Sequence, residues 1–121
     1  MAPLTEWRPV PGPLVYGYLR LAACSRGRRA ALTRALVAYC SQHELLLGGV
    51  FSDEPFGGLV LTPGFAGLID ALALEGSYGV VTPSAAHLGS GVTGRARIQK
   101  ITATGRRLML IRGTLAQAAA P

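Results

Sequence analysis

Residues 14–21 read Leu-Val-Tyr-Gly-Tyr-Leu-Arg-Leu, and this stretch decides the fold class. Apolar or aromatic side chains occupy nearly every position, so neither face of an extended chain would be polar. Strands with this pattern are typical of parallel sheets that helices cover on both faces. The stretch therefore predicts the first strand of an α/β domain, and an alanine, Ala22, follows it directly.

The rest of the chain alternates predicted helices and strands. Apolar side chains recur at three- and four-residue spacing over 28–43, which predicts a helix. A second strand over 45–52 is loosened by two glycines. Thr62 and Pro63 then provide an N-cap and a first helical residue for a second helix that ends near Glu75. The remaining predicted elements are a strand over 78–82, a basic helix over 92–104 and a strand over 107–112.

This alternation predicts an α/β fold with three layers, in which a mostly parallel four-stranded sheet carries helices on both faces. We expect one domain over 14–113, preceded by a proline-rich lead-in over 1–13 and followed by an alanine-rich tail over 114–121. In open parallel sheets, ligands and catalytic groups lie beyond the carboxyl ends of the strands. Candidate functional residues are therefore expected in the segments that follow the four strands.

The composition favours a folded, soluble domain. Of the 121 residues, 50% are hydrophobic and 15% are charged, which excludes disorder of the highly charged kind. No apolar run reaches the roughly 20 residues that a membrane-spanning helix needs, and the first residues do not resemble a secretory signal. We therefore expect a cytoplasmic protein with no membrane partner. Cys24 and Cys40 are too few for a disulfide framework and are expected to be free thiols.

The charge balance alone does not distinguish a nucleic-acid contact face from an ordinary basic surface. The chain has 12 basic and 6 acidic residues, a formal net charge of +6. Basic surface supplies the salt-dependent, sequence-independent part of DNA affinity, so DNA bound weakly and electrostatically is one expected partner. The alternative is an ordinary basic surface facing solvent, because net charge bears on solubility and non-specific binding rather than on identity.

Several short fragments, taken in order, resemble the catalytic domain of the serine recombinases, the family of resolvases and invertases. In residues 17–21, Gly-Tyr-Leu-Arg-Leu, an aromatic residue, an arginine and an aliphatic residue lead into the position where the family has its nucleophilic serine. The later fragments that follow in family order are residues 39–43, 50–54, 62–65, 78–81 and 87–89. The resemblance extends over residues 14–112 and implies a resolvase-like fold.

The resemblance implies DNA cleavage by a serine hydroxyl that attacks phosphate, with arginines that stabilise the phosphoryl oxygens. Arg20 and Asp53 match the family pattern, but Ala22 occupies the nucleophile position. An alanine has no nucleophilic atom, so the family's chemistry cannot take place there. The arginines that the family places ahead of the second helix and after the third strand are also absent, at Thr62 or Pro63 and within Ala86-His87-Leu88-Gly89-Ser90.

The main prediction is a pseudoenzyme of this family, inactive in strand exchange, that binds DNA, another protein or a second copy of itself. One alternative is an active recombinase-type enzyme that uses a shifted Ser25, although a displaced nucleophile loses in-line geometry and Ser25 also fits a helix N-cap. Another is a small module that binds an anion near Arg20, Arg26 and His87, which are also the candidate DNA-binding residues. His87 is otherwise a partner for Asp53 or a solvated loop residue. No metal or cofactor is expected, because neither metal-ligand spacing nor a phosphate-binding glycine motif is present.

Overall fold

Strands and helices alternate along the chain, as the sequence predicts. The computed structural model describes residues 12–21, 25–54 and 59–114. Its elements are β1 (Leu14–Arg20), α1 (Arg26–Gln42), β2 (Leu46–Asp53), α2 (Pro63–Leu72), β3 (Ser77–Thr82), a short 3-10 helix (Ala85–Leu88), α3 (Gly91–Ala103) and β4 (Arg107–Leu110). Only the 3-10 helix was not predicted. Residues 1–11 of the lead-in and 115–121 of the tail lie outside the described residues.

The four strands form one parallel sheet in the order β2-β1-β3-β4. β1 pairs with β2 on one side, from Leu14 opposite Leu46 to Arg20 opposite Asp53, and with β3 on the other. β3 in turn pairs with β4. Because every strand runs in the same direction, all carboxyl ends meet at one edge. The strand order reverses between β1 and β3, which is where ligand sites form in open sheets of this kind.

Helices cover both faces of the sheet, so the predicted three layers are confirmed. α1 packs on one face and contributes Leu32, Leu36 and Cys40 to the core there. α2 and α3 pack on the other face and contribute four buried residues, Phe65, Leu68, Leu72 and Ile101. Within the described residues, no helix combines the length and the apolar character that crossing a membrane requires.

The structure describes one of the two cysteines that the sequence predicts to be free thiols. Cys40 is a free, buried thiol in the α1 layer, and burial raises its pKa. Since a buried neutral thiol is a poor nucleophile, Cys40 belongs to the core. Cys24 lies outside the described residues.

Candidate functional site

The carboxyl ends of β1 and β2 bring Arg20 and Asp53 side by side. Their Cα atoms are register partners, and the N–H of Leu21 continues the pairing by donating to the Asp53 carbonyl at 2.8 Å. Two residues earlier on each strand, Tyr18 and Phe51 pack on the face that α2 and α3 cover. Because strand side chains alternate between faces, Arg20 and Asp53 project toward that same face.

Within the described part of the chain, the carboxylate of Asp53 accepts four hydrogen bonds, and the residue is only 8% exposed. Its Oδ2 accepts from the hydroxyls of Tyr18 at 2.8 Å and Thr62 at 2.5 Å. Oδ2 also accepts from the N–H of Phe65 at 2.8 Å, and Oδ1 from the N–H of Gly64 at 2.6 Å. Both backbone donors belong to the first turn of α2, where the helix dipole favours negative charge. Asp53 therefore caps α2 from the neighbouring strand.

Thr62 stands at the N-cap position of α2, but its side chain makes no capping hydrogen bond. The predicted N-cap position is therefore confirmed, but the capping hydrogen bond is absent, since the Thr62 hydroxyl donates to Asp53 instead. Gly64 permits this arrangement. A Cβ at Gly64 would collide with the backbone carbonyl of Ser52 and contact the Asp53 carboxyl carbon. A larger residue would push the start of α2 away from β2.

Arg97 of α3, which was not predicted as a functional residue, completes the cluster. The side chain is 3% exposed, and its Nη2 donates to the Thr62 hydroxyl at 3.2 Å. Its guanidinium carbon lies 5.2 Å from the centroid of the Phe65 ring. The guanidinium also donates to three backbone carbonyls, those of Leu59 (3.0 Å), Val60 (2.9 Å) and Leu88 (3.1 Å).

One signal in the sequence could have identified Arg97. Gly94, Ile98 and Ile101 define the apolar stripe of α3, and Arg97 lies on that stripe at helical spacing. An arginine on a buried stripe needs internal acceptors, because an unpaired buried charge is costly. We call the resulting group of four residues, Tyr18, Asp53, Thr62 and Arg97, the buried cap.

Protonation in the buried cap is decided by the balance of burial against hydrogen bonds. Burial alone would raise the pKa of Asp53, but hydrogen bonds from Thr62, Tyr18 and the start of α2 outweigh it and lower the pKa. Burial, helped by the bond to Asp53, raises the pKa of Tyr18 to about 12. At neutral pH the pair is therefore a carboxylate and a phenol. With its acceptor positions occupied, Asp53 is placed to stabilise the fold rather than to act as a base.

His87 lies in the 3-10 helix after β3 and is half-buried. Its Nδ1 accepts a hydrogen bond from the backbone N–H of Arg20 at 3.0 Å. The expectations of a solvated loop residue and of a partner for Asp53 are both wrong, because β1 holds the imidazole. Burial lowers the pKa of His87, and the charges of Arg28, Arg112 and Arg20 lower it further.

Three structural elements supply arginines around His87. Arg20 ends β1, Arg28 lies in the first turn of α1, and Arg112 follows β4. Within the described ranges, the guanidinium groups of these three arginines make no hydrogen bond or ion pair. Arg26, predicted to join Arg20 and His87, is exposed and is not among the charges that act on His87; Arg28 takes that place. We call the group of Arg20, Arg28, His87 and Arg112 the basic rim.

The start of α1 adds to the positive potential of the rim. Ser25 is the N-cap residue, and its Oγ accepts from the N–H of Arg28 at 3.1 Å, which confirms the predicted cap. The first turn contains no acidic residue. Ala22 lies outside the described residues, so its assignment to the nucleophile position rests on the sequence, two residues after Arg20.

Comparison with known proteins shows what the fold resembles. No family model matches the sequence, and no curated protein does. Among solved structures, the N-terminal catalytic domain of TP901-1 integrase matches at a TM-score of 0.65 and 16% identity, over 87% of this chain and 78% of that one. The C-terminal catalytic domain of ISC1926 TnpA, an IS607-like serine recombinase, matches at 0.69 and 16% identity, over 86% and 75%. The chain has the fold of a serine recombinase catalytic domain.

A third solved structure agrees with this assignment. The C-terminal catalytic domain of IS1535 TnpA, also an IS607-like serine recombinase, matches at a TM-score of 0.51 and 21% identity, over 80% of this chain and 68% of that one. At such identities the likeness concerns the fold. In this serine recombinase fold, the buried cap and the basic rim both lie at the carboxyl edge of the sheet.

The recombinase-like domain has open space beside the rim. A cleft of about 430 Å³ adjoins the 3-10 helix, and its wall is formed by Ser84, Ala85, Ala86, Arg112, Gly113 and Thr114. A larger cavity of about 610 Å³ lies between α1 and the start of β2, with a mostly apolar lining, remote from the rim. The larger cavity is not the candidate site, because it lies at the start of β2, away from the carboxyl ends of the strands. In the ranges that the structure describes, no group of three or more His, Cys, Asp and Glu side chains could hold a metal ion.

Proposed function

We propose that this recombinase-like domain binds the DNA backbone at its basic rim and does not cleave DNA. The observation that carries the proposal is Ala22, which stands two residues after Arg20 where the family resemblance places the nucleophilic serine. Transfer of a phosphoryl group to protein needs a nucleophilic atom and positive groups arranged in advance. This chain offers positive groups at the end of β1 but a methyl group in place of the nucleophile.

Ser25 does not replace the missing hydroxyl. Its Oγ accepts the N–H of Arg28 as the N-cap of α1, and an activated serine instead needs a base within hydrogen-bond reach. His87 is the imidazole at this edge, and its Nδ1 is already occupied by the N–H of Arg20. This arrangement supports a helix cap at Ser25 and not a nucleophile.

The buried cap also supports a domain that does not cleave. The resemblance expects an arginine ahead of α2, where this chain has Thr62, whose hydroxyl bonds to Asp53. Arg97 brings a guanidinium close by, but its donors are taken by backbone carbonyls and Thr62. Neither residue is left to stabilise charge on a phosphate, so the cap maintains the fold beneath the rim.

DNA binding by the rim predicts a steep dependence on salt. Neutralising one phosphate contributes a slope of about −0.9 in a plot of log affinity against log salt concentration, so three arginines give about −2.7. Affinity for a short duplex is then expected to fall about 40-fold when monovalent salt rises fourfold. Fluorescence anisotropy of a labelled duplex at several salt concentrations measures this slope.

Two single variants locate the contact. Arg28→Ala is expected to make the slope shallower by about 0.9, because one phosphate contact is lost. Arg34→Ala is the matched control, since Arg34 is exposed on the same helix and the charge change is equal. Undetectable binding at low salt would remove DNA from the proposal. Equal losses from the two variants would show diffuse attraction rather than a site.

Absence of cleavage is tested by trapping a covalent adduct. After incubation with supercoiled or linear duplex DNA, we expect no protein–DNA adduct on a denaturing gel. We expect the same for Ala22→Ser, because the arginines that the resemblance expects at Thr62, His87 and Ser90 remain absent. An adduct formed by the unmodified chain and lost in Ser25→Ala would establish the shifted nucleophile and overturn the proposal.

A further inference from the structure

The hydrogen bond from Arg20 determines which proton His87 carries. Since Nδ1 accepts the backbone N–H of Arg20, the neutral imidazole has its proton on Nε2. A second proton would have to bind Nδ1 and displace that N–H, because two donors cannot face each other. In the free protein the hydrogen bond between β1 and the 3-10 helix therefore requires a neutral His87.

The groups around His87 oppose protonation as well. Positive charge faces the imidazole from β1 through Arg20, from the start of α1 through Arg28, and from the segment after β4 through Arg112. The N–H of Arg112 donates to the carbonyl of Pro83 at 3.0 Å, which holds that segment against the loop leading into the 3-10 helix. Three positive side chains thus act on the neutral imidazole, and one of them, Arg112, also lines the open cleft beside the 3-10 helix.

A bound phosphate would reverse this electrostatic balance. Placed among three guanidinium groups, a phosphate cancels their repulsion of a protonated imidazole and adds an attraction of its own. Resting on the DNA-backbone binding proposed above, we propose that a phosphate group bound between Arg20, Arg28 and Arg112 is accompanied by uptake of a solvent proton on Nδ1 of His87. The proton breaks the hydrogen bond from the N–H of Arg20. By linkage, phosphate affinity rises as pH falls.

The expected change in the pKa of His87 follows from the distance over which a phosphate charge acts on an imidazole. An opposite charge within about 4–6 Å shifts a side-chain pKa by about one unit or more. We therefore expect the pKa of His87 to rise by about one unit when phosphate is bound, and phosphate affinity to increase about tenfold between slightly alkaline and mildly acidic pH.

NMR can follow His87 directly, because the chain has only two histidines. The imidazole carbon-bound proton signals are titrated over about pH 5 to 8 for the full chain alone, with pyrophosphate, and with a short duplex DNA at low salt. The His87 midpoint is expected to rise with both ligands, and the Arg20 amide signal to shift with it. His43, exposed beside Tyr39 on α1, is the internal control, and its signals are expected not to respond to either ligand.

Variants add a second measurement. His87→Gln cannot take up the proton, so its affinity for the short duplex, whose phosphodiesters stay ionised over this pH range, is expected to lose the tenfold pH dependence. His43→Gln is expected to keep it, and the dispersed amide spectrum of each variant shows whether it is folded.

The outcomes separate this inference from the proposed function. DNA that binds without moving the His87 midpoint overturns proton coupling and leaves DNA binding intact. If DNA does not bind, pyrophosphate decides: a raised midpoint supports a proton-coupled site for free phosphate, and an unchanged midpoint overturns the inference as well. A pH dependence retained by His87→Gln would also overturn it.

Discussion

Replacing Asp53 by asparagine is expected to destabilise the domain by about 2 to 4 kcal/mol, which lowers its melting temperature by about 10 °C. An amide has one acceptor oxygen, whereas the Asp53 carboxylate accepts bonds at both oxygens. If that oxygen meets Tyr18 and Thr62, the amide nitrogen is left facing the N–H of Gly64. The variant also removes the negative charge from the positive end of α2. Thermal and urea unfolding followed by circular dichroism measure the loss.

Glu54→Gln is the matched control for this experiment. It changes the charge equally at the next residue, but Glu54 is exposed, so its effect is expected to stay within about 0.5 kcal/mol. An equally small effect of Asp53→Asn would contradict the structural role of the buried cap.

The pH dependence of stability provides a further test of the role of the Asp53 carboxylate. Since the folded-state pKa of Asp53 lies below its ordinary value of 3.8, the unfolded chain binds a proton first as pH falls. The stability that Asp53 contributes is therefore complete above this value and is lost as pH drops below it. The difference in unfolding free energy between the unmodified chain and Asp53→Asn is expected to shrink as pH falls below 3.8. A difference that is constant through the interval would show that the carboxylate is not the source.

The fold could be predicted from the sequence because its signals are repeated along the chain. β1 is apolar at almost every position, and each predicted helix carries apolar residues at helical spacing. Burial of those residues decides which segments pair and pack, so tertiary structure agrees with local pattern. The 3-10 helix at residues 85–88 escaped prediction because four residues cannot display a periodic pattern.

The site was harder to predict, because the contacts that build it join residues far apart in sequence. The order and spacing of the motifs predicted that Arg20, Asp53 and His87 lie at one edge of the sheet. They did not predict which groups these residues contact. Asp53 meets Tyr18 and the start of α2 across the sheet, and His87 meets a backbone N–H of β1. A backbone donor carries no side-chain signature, so no residue pattern could indicate that Nδ1 of His87 is occupied.

The charge count was also an incomplete guide to the binding surface. Arg97 is buried among carbonyls, and Arg106 donates to the carbonyls of Leu72 and Leu74 at the end of α2. These two arginines stabilise the fold, and they contribute to the net charge of +6 without lying in the basic rim. Only the structure separates them from Arg28 and Arg112, because all four belong to the same residue type in a basic chain.

Replacing Arg97 by methionine is expected to cost about 3 to 5 kcal/mol of unfolding free energy. Methionine fills part of the volume beside Phe65 but donates no hydrogen bond, so the carbonyls of Leu59, Val60 and Leu88 lose their side-chain donor. A buried acceptor left without a partner costs about 1 kcal/mol or more. The Thr62 hydroxyl loses its donor too, which weakens the hold on Asp53.

Arg95→Met is the control, since Arg95 is exposed on the same helix and its loss changes the charge equally. We expect it to alter stability by no more than about 0.5 kcal/mol. Arg97→Lys separates the effect of charge from the effect of geometry. A lysine keeps the positive charge but cannot reach several acceptors from one planar group. We therefore expect a loss of unfolding free energy between those of the Arg95→Met and Arg97→Met variants. If lysine restored full stability, charge alone would explain Arg97. If methionine cost no more than the Arg95 variant, the segment before α2 would be held by other contacts, and the link from α3 through Thr62 to Asp53 would be unnecessary for the fold.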